Sequence, residues 1–190
     1  MTERELLEDM EKELLVDRYG IDYEGVLDYQ GFIKMIEEWC RKNDFYMEID
    51  SKKEKVTAKG RNISIGYNLQ RKFDNIHFTI IEMDFSVDDM TDSDTEIDGM
   101  MKALNKGKVD IIIHSYLMMS IKARWETKGY AYFIRGIIDK FIYKLDKPSF
   151  RGVVVTDTYK LIDEIKGYLN IYRHIGEGTP VKGRLKGGWV

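Results

Sequence analysis

Residues 108–125 read KVDIIIHSYLMMSIKARW, and the alternation in this stretch decides the fold class. Val109, Ile111, Ile113, Leu117, Met119, Ile121, Ala123 and Trp125 occupy odd positions, whereas Asp110, His114, Ser120, Lys122 and Arg124 occupy even ones. A period of two puts the odd set on one face of a β-strand, because successive side chains point to opposite sides of the pleat. Only Ser115 interrupts the apolar row. A strand of about 17 residues is roughly three times the usual length and implies a strongly curved or coiled sheet, with its odd-numbered face turned toward a helix.

Three earlier runs share the period: Phe45, Met47 and Ile49; then Ile63, Ile65, Tyr67 and Leu69; then Ile81, Met83, Phe85 and Val87. Helical spacing brackets these runs. Thr2 and Glu5 stand in capping-box spacing ahead of Leu6, Leu7, Met10, Leu14 and Leu15, which predicts a first helix ending before Gly20. Tyr23–Leu27 reads as a short strand, after which Asp28 caps a helix striped by Phe32, Ile33, Ile36, Trp39 and Cys40. Beyond Gly129, the spacing of Tyr130, Phe133, Ile134, Ile137, Ile138, Phe141, Ile142 and Leu145 predicts a helix that lies on the concave sheet face and ends at Pro148. Val153–Val155 predict a short strand, and Asp157 opens a last helix with Leu161, Ile162, Ile165, Tyr168, Leu169 and Tyr172 on one side. The expected fold is therefore α+β. A curved antiparallel sheet grips a long C-terminal helix, with an extra N-terminal helix and a C-terminal strand-helix extension.

With 190 residues, 43% hydrophobic and 33% charged, the chain can bury one sizeable core, and residues 1–175 are expected to form a single domain. Residues 176–190, rich in glycine and carrying Pro180, read as a flexible basic tail. A net charge of -3 gives no global attraction to nucleic acid or acidic lipid. The lone Cys40 cannot close an internal disulfide, which suits a reducing compartment. The start, MTERELLEDMEKELL, is too charged for a secretory signal, and no window holds the ~18 apolar residues of a membrane span, so the expected location is cytoplasmic.

The acidic run Asp88, Asp89, Asp92, Asp94, Glu96, Asp98 is the most charge-dense part of the chain, and Asp94, Glu96 and Asp98 with Gly99 match the first half of a calcium loop, but Asn105 stands where a bidentate glutamate would close the shell. A solvated hairpin loop is expected there, with no metal. If the long hairpin pairs around that loop, His114 falls near Ile81 and His77 near Met118, too far apart to share a ligand. No nucleophile elbow, GxGxxG or P-loop is present, so no cofactor is expected. In the tail, Lys182, Arg184, Lys186 and the near-terminal Trp189 are candidates for contact with a protein or RNA partner through phosphate pairing and stacking.

The order strand, helix, long antiparallel strands, then an apolar-striped helix resembles the START-like helix-grip superfamily, the lipid-transfer and birch-allergen fold, over Tyr23 to Leu145. The resemblance implies a non-enzymatic binding protein holding a small apolar ligand between sheet and helix. Its lining would be Met83, Phe85, Ser115, Leu117, Met119, Phe133, Ile137 and Phe141. An interaction module using the basic tail and the acidic loop is the alternative. A cyclase- or hydrolase-like enzyme comes third and would draw its polar groups from Ser115, His77, Thr79 or Tyr67.

Overall fold

In the computed structural model, residues 10–74, 76–97, 100–120, 143–173 and 178–185 are described. The 108–120 stretch lies in β5 (Met100–Ser120), which pairs antiparallel with β4 (His77–Ile97). The odd-numbered face of β5 is buried as its alternation requires, with Val109 at 3% exposure and Ile111 and Ile113 at 0%, while Asp110, Ile112, His114 and Tyr116 are half-buried on the other face. Residues 121–125, the end of the expected strand, lie outside the described residues.

The pairing register lies within one residue of the expectation. His114 stands opposite Glu82 and His77 opposite Met119. A bulge at Asp89 and Met90, where β4 slips against β5 and also against β3 (Gly60–Lys72), shifts the register by one residue partway along the hairpin. Asp89 adopts a left-handed φ of 53°, and its N–H donates to Asn62 Oδ1 at 3.0 Å. One extra residue on the bulged strand reverses which parity faces inward. Accordingly the buried row runs Ile81, Met83, Phe85, Val87 below the bulge and resumes at Met90 above it.

β2 (Tyr46–Thr57) completes a meander with β3, and β1 (Met10–Leu27) joins the far side of β5. A four-residue β6 (Lys182–Leu185) flanks β1, giving a curved, open six-stranded antiparallel sheet in the order β2-β3-β4-β5-β1-β6. Two helices, α1 (Tyr29–Lys42) and α2 (Tyr143–Arg173), occur among the described residues. Both cover the same inner face. Phe32 and Ile36 of α1 and Leu161, Ile162, Ile165 and Leu169 of α2 share one apolar cluster with Ile65, Ile81, Phe85 and Ile111. Each such side chain contributes about 1.5–3 kcal/mol by leaving water. α1 begins where its capping residue dictates, since the Gly31 N–H donates to Asp28 Oδ1 at 2.8 Å. Cys40 is buried on its stripe, and burial, reinforced by Glu37, pushes the thiol up to about 11, so the sulfur stays protonated and inert.

Three expectations are corrected. Residues 10–15, expected to be helical, belong to β1, and Leu14 of the supposed apolar stripe is 48% exposed while Val16 and Ile21 are buried. The open edge of β5 offers a full ladder of hydrogen bonds, and that tertiary pairing overrides a local helical spacing. Two register slips, before and after Val16, fit the segment to its partner. Second, neither Pro148 nor Val153–Val155 breaks the chain into helix, strand and helix, because α2 runs continuously from Tyr143 to Arg173. Val154 is fully buried and shares a helical stripe with Thr158, Leu161, Ile162 and Ile165, so packing on the sheet outweighs the β-preference of three valines. Third, the acidic residues from Asp88 to Glu96 lie in β4 and not in a loop. Asp88 faces Lys108 and Thr95 faces Lys102, and Asp92 accepts from Arg61 at 2.8 Å and from Asn105 at 3.1 Å. Residues 129–142 of the helix expected from Gly129 to Leu145 and the first nine residues of the chain lie outside the described residues.

The tail is also tied down where it is described. The Thr179 N–H donates to the Glu24 carbonyl at 2.8 Å, the Glu24 N–H donates to Thr179 Oγ1 at 2.9 Å, and β6 pairs with Tyr19–Asp22. Cutting the chain after Ile175 is therefore expected to lower the melting temperature by a few degrees, about 1–2 kcal/mol, since several ladder bonds are lost but ordering entropy is recovered. An unchanged melt would show that β6 is not held to the sheet.

Candidate functional site at the polar end of the core

Where β4 begins and β5 ends, the inner face changes character. The connection from β3 to β4 builds one wall. The Asp74 carboxylate accepts the N–H groups of Ile76 and His77, both at 2.7 Å, in the self-bonded turn that aspartate favours. It also lies 3.0 Å from His77 Nδ1. Burial alone would raise the Asp74 carboxyl, but the hydrogen bonds from the His77 side chain and from the two amides hold it below the ordinary carboxylate range. The His77 ring stacks on Phe150 of α2 with centroids 4.8 Å apart, and Phe150 meets Phe73 at 5.1 Å.

Arg71, opposite Thr79 in the ladder, carries the main charge of this end. Its guanidinium is flanked by the Phe45 and Phe73 rings, 4.6 and 4.7 Å from their centroids, and donates to Asp157 Oδ2 at 2.5 Å and to the Asn43 carbonyl at 3.2 Å. A planar fork with stacking faces can meet two rings and two acceptors at once, which an ammonium cannot. Asp157 also accepts from Lys160 at 3.1 Å. The pair ties β3, the end of α1 and the middle of α2 together.

Among the described residues the buried polar or charged side chains are His77, Thr79, Ser115, Asp157 and Thr158, and all belong to this end. Thr79 Oγ1 donates to the Tyr116 carbonyl at 3.0 Å and Thr158 Oγ1 to the Val154 carbonyl at 2.7 Å. Among the described residues, two buried side-chain polar atoms lack a partner, Ser115 Oγ and Arg71 Nε. An unmet buried hydroxyl costs about 1–3 kcal/mol, so its presence calls for an explanation.

The residues expected to line a pocket divide between two places. Met83 and Phe85 sit mid-sheet in the apolar cluster, with Phe85 stacked on Phe32 at 4.8 Å. Ser115, Leu117 and Met119 lie at the polar end, with Leu117 opposite Thr79 and Met119 opposite His77. Phe133, Ile137 and Phe141 lie outside the described residues. Of the expected partner-binding residues, Lys182 and Arg184 are exposed on β6, with Arg184 3.3 Å from Asp22, and Lys186 and Trp189 lie outside the described residues. Sequence reading missed Arg71 and Asp157. The available signals were an arginine two residues before Phe73 and an aspartate on the apolar side of a helix.

His77 and Ser115 do not form a nucleophile and base. Ser115 faces Ile81, four positions along β4 from His77, a separation of roughly 13 Å. A solvent-open groove lies nearby between the two helices, lined by Met35, Trp39, Lys42, Asn43, Lys160 and Glu164. Its charged walls suit it poorly to an apolar ligand. Among the described residues, no group of three or more histidine, cysteine, aspartate or glutamate side chains is placed to hold a metal ion, and no helix is long and apolar enough to cross a membrane. No family model, curated protein or solved structure matches the chain.

Proposed function

We propose that the protein is a non-enzymatic binding protein whose small ligand enters between α2 and the β4–β5 end of the sheet. Its apolar body would rest on Leu117 and Met119 and its polar head would meet Ser115. The Ser115 hydroxyl carries this reading, because it is fully buried, has no hydrogen-bond partner among the described residues and interrupts an otherwise apolar row. The sheet order, with β1 beside the last strand of the meander, and the long helix after β5 are compatible with a helix-grip arrangement. In that arrangement ligands commonly occupy the space between helix and sheet. The filled centre around Phe32 and Phe85 favours a ligand position toward the polar end over one at mid-sheet.

Ser115→Ala separates the reading from a plain packing role. Removing an unsatisfied hydroxyl should leave the ligand-free protein as stable as before or about 1 kcal/mol more stable. The purified protein should nevertheless release a small organic compound on denaturing extraction, detected by mass spectrometry, and the variant should release at least tenfold less. A variant that melts higher while neither form releases any compound would leave the hydroxyl a structural defect and remove the support for this function.

A further inference from the structure

The side chains around Ser115 set the chemistry of the head group that its hydroxyl can meet. On the inner face its cross-strand partners are Ile81 of β4 and Val16 of β1, and its neighbours along β5 are Ile113 and Leu117. All four are buried, with Ile81 and Ile113 at 0% exposure. A hydroxyl has one proton to donate and two lone pairs to offer, and among the described residues nothing hydrogen-bonds to this one. The cations described at this end of the core are engaged elsewhere. Arg71 and Lys160 both donate to Asp157, Arg151 donates to Glu13, and His77 lies against Asp74. Arg71 also stands two strands across and two residues along from Ser115, roughly 12 Å away by strand spacing and rise. Its guanidinium is held between Phe45 and Phe73.

A carboxylate or phosphate brought to Ser115 would therefore lose its water without gaining a counter-ion, and a single hydrogen bond from a neutral hydroxyl does not offset that loss. An ammonium group fails for the same reason, since Asp157 already accepts from two cations. An uncharged oxygen is different. A ketone accepts the serine proton, an alcohol donates to the serine oxygen or accepts from it, and neither carries a charge into the ring of aliphatic side chains. We infer that the Ser115 site selects a ligand with an apolar body and an uncharged oxygen head, an alcohol or a ketone, and rejects carboxylates and amines of the same length. This deepens the binding function proposed above and rests on it. Such a site discriminates by head group more sharply than by chain length, because a mismatched head leaves a buried polar group unpaired whereas one methylene more or less changes only contact area.

Decanol, methyl octyl ketone, decanoate and decylammonium share one chain length and differ in the head. Each is equilibrated by dialysis with the full chain at neutral pH, where the acid and the amine are ionised, and the bound fraction is measured by gas chromatography after extraction. The alcohol, the ketone or both should bind saturably and at least tenfold more tightly than either ion. Ser115→Ala, which keeps the parent's melting temperature or raises it, should lose that margin. If decanoate or decylammonium binds as tightly as the neutral pair and Ser115→Ala still weakens the binding, the neutral head is overturned and the site stands. Neutral compounds that bind equally well to Ser115→Ala would overturn both, since the ligand would then lie elsewhere. No saturable binding of any of the four would overturn the inference, and the site with it where the purified protein also releases no compound on denaturing extraction.

Discussion

Replacing Asp157 by alanine is expected to cost about 3–5 kcal/mol of folding free energy, measured by urea denaturation at neutral pH. The reason lies in what is left behind. The Arg71 side chain is 16% exposed and that of Asp157 7%, so the pair is largely out of water. Without the carboxylate, the guanidinium stays wedged between Phe45 and Phe73 with the neutral Asn43 carbonyl as an acceptor, and Lys160 adds a second positive charge nearby. A charge stripped of its partner in such a site is costly, whereas removing both partners is not. The double replacement Arg71→Met, Asp157→Leu should therefore recover most of the loss, at similar volume and with no buried ion. Asp157→Asn keeps a hydrogen-bond acceptor and should fall between. A loss below about 1 kcal/mol for Asp157→Ala would mean that the pair behaves as an exposed surface bridge, and the clasp joining α1, β3 and α2 would have no energetic weight.

Phe85→Ala should be comparably damaging, about 3–5 kcal/mol, a large part of the 5–15 kcal/mol typical of a whole domain. Phe85 is fully buried, stacked on Phe32 at 4.8 Å and on Tyr29 at 6.1 Å, and truncation would leave a void between α1 and the middle of the sheet. The exposed Val56→Ala, at 76% exposure, should change stability by less than about 0.5 kcal/mol and serves as the control. The size of the Phe85 effect also distinguishes packing from ligand lining. A side chain facing an open cavity has few contacts to lose, so a loss near 1 kcal/mol accompanied by altered ligand retention would move the binding site to mid-sheet and away from Ser115.

The period-two stretches around Ile65, Phe85 and Ile111 and the stripes of α1 and the second half of α2 were legible because each records a local geometry. Pleat and helical turn impose their periods on any sequence that buries one face, whatever lies across from it. The cap at Asp28 was legible for the same reason, since capping joins residues three apart. At the polar end, His77, Thr79 and Ser115 could be named as polar residues among the strands, but not as neighbours of Arg71 and Asp157. Those two lie 86 positions apart, and no local pattern records which helix turn will face which strand.

What the sequence determined by itself was the alternation of the central strands, the α+β class and the residues turned inward on β3, β4 and β5. Tertiary structure alone decided that residues 10–15 extend along β5, that three valines continue a helix, and that Lys182–Leu185 close the far edge of the sheet. Each of these follows from partners distant in the chain: an open strand edge satisfies a whole row of backbone groups, and a covered sheet face buries a whole helical stripe. Gains of that size exceed the few tenths of a kcal/mol per residue by which local preference distinguishes helix from strand.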